Sequence, residues 1–417
     1  MHADFTFIHA ADIHLDSPLA GLTARNPEFS ALVRGATRRA FANVVDLAIA
    51  EGASFVIIAG DLYDGAWKDQ STGQYAIAQL ARLTRAGVRA FIAFGNHDAE
   101  SRVSRHLTTP PGVHRFDNRR CDTVVLEEYG VAIHGRSYRE AATTEDLSAS
   151  YAAPTPGLLN IAVLHTALEG AAGHASYAPC VLGELRARGH DYWALGHVHE
   201  RSVRWKHPFV VYPGNTQGRH ARETGAKGAM VVKVRDGVIA SVEHRACDDV
   251  RWLRADLDAE AASDMPDLLH GVGAALRDAL RGADGHPAAA RLTIRARGAL
   301  GRKLAADPDW FEAETRAQAA ALSESLWIEK TRIEQTDDGF GGGLPPELAA
   351  LMAQADTDAD CLRAIRAAVG PLLDKLPPEI GDAEVAPLTA AARSGDLAAL
   401  VAAARETLEA RLGEADA

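Results

Sequence analysis

Five short stretches of this chain place acids, amides and imidazoles just after an apolar run. Asp12-Ile13-His14 follows Phe5–Ala10, and Gly60-Asp61-Leu62-Tyr63-Asp64 follows Phe55–Ala59. Gly95-Asn96-His97-Asp98 follows Phe91–Phe94, His165 follows Leu158–Leu164, and Gly196-His197-Val198-His199 follows Tyr192–Leu195. Two cations held a few ångströms apart need oxygen and imidazole ligands, one of them shared. Such a pair binds a phosphoryl group and sharpens a water nucleophile. Asp12 and His14 stand two apart, so both face one way in an extended segment, and His197 and His199 repeat that spacing. Asp61, a carboxylate straight after a glycine, is placed to bridge. Asn96 and His165 complete a second cation. Three oxygen ligands, four imidazoles and no thiolate favour two divalent ions of the manganese kind, with iron or zinc as alternatives. The same set disfavours calcium and a structural zinc.

His97 is left over from that ligand count. With Asn96 turned to a metal, His97 lies near the substrate and suits an acid that protonates the leaving oxygen. Asp64 stands three residues after Asp61, and a carboxylate there can accept the second ring N–H of His97 and hold it cationic.

The elements that must carry these residues alternate. Phe5–Ala10, Phe55–Ala59 and Val88–Phe94 read as buried strands. Thr37–Glu51 reads as a helix, with Phe41, Val44, Val45 and Ala48 on one face, and Ser71–Arg85 as another. Strand–helix–strand–helix–strand implies parallel strands, whose carboxyl ends are where α/β sheets bind ligands. After Ser101 the chain turns β-rich, with strands expected at 123–126, 131–134, 158–164, 192–195, 209–212, 228–234 and 238–244, and a short helix at 181–188. The expectation is an α/β, two-sheet sandwich with helices outside over residues 1–250. A small α+β unit follows over 251–336, with helix across 259–281, strands at 291–296 and 326–333 and a helix at 309–322. Residues 337–417 open on a Gly/Pro linker and continue as Ala- and Leu-rich helices. No internal repeat is evident.

The formal net charge is −12, which argues against coating nucleic acid by charge alone. Residues 341–417 hold 6 basic and 13 acidic side chains, so the remaining 340 residues carry only −5. Four scattered cysteines (Cys121, Cys180, Cys247, Cys361) show no CxxC spacing. With no signal-like start and no apolar run of membrane-spanning length, a reducing, cytoplasmic home away from membranes is expected.

Taken in order, D-x-H, G-D-x-x-D, G-N-H-D, a lone His after a strand and G-H-x-H resemble the calcineurin-like metallophosphoesterases, over roughly residues 5–220. The resemblance implies a four-layer metallophosphoesterase β-sandwich. It implies that Asp12, His14, Asp61 and His199 bind one metal, that Asp61, Asn96, His165 and His197 bind the other, and that His97 is the catalytic histidine. The opening Ile8-His9-Ala10-Ala11-Asp12-Ile13-His14-Leu15-Asp16 is similar to the DNA-repair nucleases of the SbcD group. Tyr212-Pro213-Gly214-Asn215-Thr216-Gln217-Gly218-Arg219-His220, with Glu223-Thr224-Gly225 and Lys227-Gly228, resembles the YhaO subgroup. That likeness implies a capping, DNA-contacting domain near 250–335, an SbcC-like coiled-coil ATPase as partner, docking by the C-terminal region, and homodimers. Many nucleases of the group carry His where this chain has Asp64, which is the commoner residue in the wider superfamily.

Most of the 17 histidines are expected to be structural. His9 reads as a core histidine. His134 also follows a strand and is the rival to His165. His174 and His220 lie in loops. Arg219 and His220, like Arg102 and Arg105 after the Asn-His turn, can contact phosphates or simply be solvated. The first reading is thus a DNA phosphodiesterase, exonuclease or endonuclease. The alternatives are a phosphodiesterase or phosphatase for small molecules, such as cyclic nucleotides or nucleotide-sugar lipids, and a non-catalytic subunit that binds DNA ends.

Overall fold

Apolar runs punctuated by glycine build two six-stranded sheets in the first of two units. The computed structural model describes residues 3–17, 35–65, 70–100, 108–169, 177–260, 262–335, 359–373 and 387–397, with isolated residues at 29–33 and 354–404. One unit holds Met1–Trp252 with Gly285–Pro287, and the other holds Leu253–Asp284 with Ala288–Ala417. The strands of the first unit are, in chain order, β1 (Phe5–Ala10), β2 (Phe55–Ala59), β3 (Arg89–Ala93), β4 (Val113–Arg115), β5 (Asp122–Leu126), β6 (Val131–Gly135), β7 (Leu159–His165), β8 (Tyr192–Gly196), β9 (Ser202–Lys206), β10 (Phe209–Tyr212), β11 (Gly228–Arg235) and β12 (Val238–Ala246). They form sheets of order β12-β11-β1-β2-β3-β4 and β5-β6-β7-β8-β10-β9.

The middle strands of each sheet are parallel, β1 through β4 in one and β6-β7-β8-β10 in the other. Antiparallel β11 and β12 extend the first sheet, and β5 and β9 flank the second. Parallel strands covered on both faces need apolar residues at every position, and β2 and β8 are buried end to end. Between the sheets lie Phe5, Phe7, Phe55, Phe91, Ile133, Ile161 and Tyr192. On the outer face of the first sheet lie α1 (Ala36–Ala50) and α2 (Gln70–Arg85). The predicted face of α1, Phe41, Val44, Val45 and Ala48, is fully buried there with Val56, Ile58, Leu80 and Leu83. Each such Val or Leu contributes roughly 1.5–3 kcal/mol when removed from water. The expected helical cover over the second sheet is thinner. A 3-10 turn at Leu147–Ser150, a six-residue helix at Leu182–Ala187 and loops bring Tyr138, Leu147, Tyr151 and Leu185 against Leu164, Trp193 and Val210. Layers of helix, sheet, sheet and loop-rich cover make the expected α/β sandwich.

His9 is the one polar side chain of β1 that faces the second sheet, in step with Phe5 and Phe7. Its Nδ1 lies 3.0 Å from the Tyr192 hydroxyl and its Nε2 3.1 Å from the Leu195 carbonyl, which satisfies the core histidine expected there.

The sheet of the second unit is β13 (Arg251–Asp258, in this unit from Leu253 on), β14 (Ala288–Ala296) and β15 (Leu326–Gln335) in that order, with β14 and β15 parallel. Long helices at Met265–Leu280 and Pro308–Leu322 cover it, burying Leu268, Val272, Leu276 and Phe311 against Leu292 and Ile294. Asp264 and Asp307 cap them by accepting from the Asp267 and Trp310 amides, each ahead of a proline in the first turn. Strand β13 and a helix at Gly298–Ala306 occupy stretches to which the sequence reading assigned no element, as do β4 and β9 in the first unit. The helix expected from 259 begins only at Met265, after Asp264. Of residues 337–417, the described parts include helices at Ala359–Leu373 and Pro387–Ser394, while the Gly/Pro linker falls outside the described residues. No helix among the described residues is long and apolar enough to cross a membrane.

Candidate metal centre

The carboxyl ends of β1, β2, β3, β7 and β8 meet at one edge of the sandwich. His165 and Gly196 are paired neighbours at the ends of β7 and β8. The His165 Nδ1 donates to the Ala59 carbonyl at the end of β2 (2.9 Å), tying one sheet to the other. Two glycines permit the approach. A Cβ on Gly196 would lie 1.9 Å from the Ala59 oxygen, and one on Gly95 would lie 2.3 Å from Asp61 Oδ1.

Asp12 and His14 do not adopt the extended backbone expected from their spacing. They share an edge, but not by extension: Asp12 (φ 51°), His14 (φ 45°) and Asp61 (φ 53°) are left-handed, and His197 stands at φ 103°. Left-handed residues other than glycine cost roughly 1–2 kcal/mol each. The cost is borne because backbone pairing continues past the strands: Asp12, His14 and Leu15 donate to the carbonyls of Gly60, Asp61 and Leu62, each at 3.0 Å. Turning the chain residue by residue aims the carboxylates and imidazoles into one space.

Three donor groups result, each with ligand atoms within 4.8 Å of one another: Asp12, His14 and His199; Asp12, Asp61 and His165; and His14, Asp64 and His97. Asn96 joins the second, its Oδ1 3.1 Å from His165 Nε2. Asp61 Oδ2 lies 3.3 Å from His165 Nε2 and 3.8 Å from His14 Nε2, between the two histidines. His197 gives its backbone N–H to Asp12 (3.0 and 3.1 Å), and its ring stands 5.3 Å from that of His165. His197 is not among the three donor groups.

The donor set fits two cations. A histidine whose Nδ1–H is given to an acceptor presents the lone pair of Nε2. His165 does so through Ala59, His14 through Asp64 Oδ1 (3.0 Å) and His199 through Glu223 Oε1 (2.6 Å). The Nε2 atoms of His14 and His199 then face one another at 3.2 Å. Two lone pairs so placed call for a positive charge between them. Burial lowers the pKa of His14, favouring the neutral ligand form even though Asp64 opposes it. The other two rings shift the opposite way: against burial, Asp61 and Asp12 push His165 up to about 9, and Glu223 and Asp12 raise His199, so each holds a proton that a bound cation would displace from Nε2. Burial alone would push Asp61 up, but the facing His165, with His14 and His97, holds its carboxyl below the ordinary range. In the same way Asp64 is held low by His14 and Arg219, and Glu223 by His199, in each case against burial.

His97 is the second residue of the short helix Asn96–Glu100 and is about a third exposed. Its amide donates to Asp61 Oδ1 (3.0 Å), and its Nδ1 stands 3.5 Å from Asp64 Oδ1. The anticipated pairing of Asp64 with His97 is therefore shared. Asp64 lies closer to His14, because the bridge between Leu15 and Tyr63 brings the two loops side by side. Asp98, to which sequence reasoning gave no task, accepts the amides of Leu62, Tyr63 and Gly95 and so locks the Asp61 and Asn96 loops together.

The remaining candidates are spread out. Arg219 sets its Nη2 3.3 and 3.4 Å from the Asp64 oxygens, and His220 Nε2 lies 3.7 Å from Glu223. Arg102, Arg105 and His174 fall outside the described residues. His134, the rival to His165, is buried elsewhere, between Thr123 (2.8 Å) and Asn160 (3.0 Å). Glu223 stands out in the sequence only within Glu223-Thr224-Gly225, a stretch that resembles the YhaO subgroup. Its signal, an acid before Thr224-Gly225, does not by itself point to His199.

The chain matches two family models, calcineurin-like phosphoesterase over residues 5–201 and the middle domain of metallophosphoesterase YhaO over residues 252–336. It is 37% identical over 276 residues to a protein of Bacillus subtilis described as an uncharacterized metallophosphoesterase YhaO, covering 65% of this chain and 67% of that one. It is 26% identical over 234 residues to the DNA double-strand break repair protein Mre11 of Methanopyrus kandleri, covering 50% of this chain and 48% of that one. A solved dimetal phosphatase of Danio rerio aligns over 56% of this chain and 93% of its own, at 14% identity and a TM-score of 0.33.

Proposed function

Because the chain belongs to the calcineurin-like phosphoesterase family, we propose that it is a two-metal phosphodiesterase whose substrate is DNA. The observation that carries the hydrolytic part is the aiming of three Nε2 lone pairs, on His14, His165 and His199, into a space lined by Asp12, Asp61 and Asn96. Asp12, His14 and His199 would hold one ion, Asn96 and His165 the other with His197 beside it, and Asp61 would bridge. Two divalent ions, manganese foremost, supply Lewis acidity toward the phosphoryl oxygens and an activated water.

The chain's own residues supply the rest. With Nδ1 turned to Asp64, the far nitrogen of His97 points away from that carboxylate, and the side chain is open enough to meet a substrate. His97 gives its proton to the departing sugar oxygen as water attacks phosphorus in line. Asp64 stabilises the imidazolium beforehand. The Asn96 amide stands at the same edge and donates to the charge that grows on the phosphoryl oxygens.

DNA as substrate is supported by the likeness to the DNA double-strand break repair protein Mre11 of Methanopyrus kandleri, over about half of each chain. A second unit that restricts entry, an SbcC-like ATPase partner, a homodimer and a cytoplasmic home belong to the same proposal. The test compares manganese-dependent cleavage of linear double-stranded DNA, single-stranded DNA and an aryl phosphodiester, with His97→Ala alongside. DNA cleavage lost in the variant is the expected result. Cleavage of the small ester alone would keep the metal centre and replace DNA with a small-molecule substrate.

A further inference from the structure

The loop between β10 and β11 lies against the centre, and none of the five motif stretches includes it. Gly214 turns left-handed (φ 79°), and a Cβ there would sit 2.9 Å from the His199 carbonyl. That carbonyl accepts from the Asn215 amide (3.3 Å) and from Lys227 Nζ (3.2 Å). Farther along the loop, Glu223 places Oε1 on His199 Nδ1 (2.6 Å), while its Oε2 accepts from Asn215 Nδ2 (2.8 Å) and the Arg219 amide (2.7 Å). The guanidinium of Arg219 reaches Asp64, which holds His14. The loop is pinned from behind. Gln217 Nε2 donates to the Val250 carbonyl (2.6 Å), its Oε1 accepts from the Asp249 and Val250 amides, and Trp252 Nε1 donates to the Gly218 carbonyl (2.8 Å).

We propose that Glu223 is a positioning residue: it fixes the tautomer and direction of His199, and through Arg219 and Asp64 the same loop fixes His14, so one loop sets the affinity of one of the two metal subsites. The inference rests on the two-metal reading above. A carboxylate with both oxygens occupied cannot swing away from the imidazole, and its charge makes His199 a stronger donor. The other subsite has no comparable dependence, because His165 is aimed by the main-chain oxygen of Ala59.

The test is manganese titration of the full chain, followed by electron paramagnetic resonance, on wild type, Glu223→Gln and Arg219→Ala. Glutamine keeps the size and one acceptor but removes the charge, so a packing role alone would leave binding unchanged. The expected result is two ions in wild type, with one of them weakened about 10–100-fold in Glu223→Gln. The spin-coupled pair signal then moves to higher manganese while the single-ion signal stays in place. Arg219→Ala leaves the Glu223 contacts intact and should weaken the same ion by less. That second variant keeps the inference testable if Glu223→Gln does not fold. Wild-type affinity for both ions in Glu223→Gln, equal weakening of both, or no effect of Arg219→Ala would overturn the proposal. Wild type binding fewer than two ions would instead sink the two-metal reading itself.

Discussion

His14 and His199 are aimed by carboxylates that reach them from loops, Asp64 at 3.0 Å and Glu223 at 2.6 Å, whereas His165 is aimed by the carbonyl that ends β2. The first pair can be loosened by changing one side chain. The second anchor has no side chain to remove and takes its rigidity from two sheets packed through Phe55, Phe91 and Ile161. The charges differ as well. Two negative side chains stand behind the histidines of the first half and a neutral dipole behind His165, so only the first half should respond when the charge behind a histidine is removed.

The shared ligand is the sharpest way to break this contrast. Asp61 faces both histidines, so Asp61→Asn should empty both halves and bring turnover to the assay background, read by metal analysis beside a cleavage assay. One tight ion surviving in that variant would mean that the halves assemble independently. Next in size is His97→Ala, which belongs to neither half. It should lower turnover about 10²–10⁴-fold with both ions retained. Loss of an ion there would make His97 a ligand rather than the acid. Asp64→Asn should then weaken a single ion about 10–100-fold, with turnover falling in step at low manganese. An unchanged manganese dependence would take Asp64 out of the first half.

The smallest effect concerns the frame behind the second half. Burial lowers the pKa of His9 to about 3, and those of His190 and His244 to about 4, all within the first unit. These groups are neutral when folded, while the unfolded chain takes up protons near the ordinary value of 6.5. Their contribution is therefore whole above about pH 6.5 and drains as pH falls. For His9 the loss at pH 5.5 is about 1.4 kcal/mol. His9 ties β1 to Leu195, beside the Gly196 that pairs with His165, so its protonation should loosen the frame behind that histidine. Thermal melts at pH 7.5 and 5.5 would show a lower midpoint in acid, and a smaller drop in His9→Gln. Equal drops would clear His9 of that role.

The sequence carried the parts that depend on local pattern. Continuous apolar runs marked buried parallel strands, the spacing of Phe41, Val44, Val45 and Ala48 marked the buried face of α1, and glycines at 60, 95 and 196 marked the ends where side chains converge. What it hid is non-local. Glu223 lies 24 residues from His199 and meets it only because Gly214 folds the loop back. Asp64 finds His14 across 50 residues through a bridge between two loops, so proximity in sequence to His97 pointed to the farther partner. The left-handed turns at Asp12 and His14 mimic the side-chain spacing of a strand, which is why extension looked sufficient. Strand β13 was a different kind of miss. Its alternation of Leu253, Ala255 and Leu257 with Arg254, Asp256 and Asp258 is a local pattern that the sequence does carry.

The most direct test of the account is a count of manganese ions bound per chain by the wild-type protein at equilibrium, by dialysis and elemental analysis, beside His199→Ala and His165→Ala. Two ions in wild type and one in each variant, in separate subsites, is the predicted result. One ion or none in wild type, or both lost together in either variant, would contradict a centre built from two separately held halves.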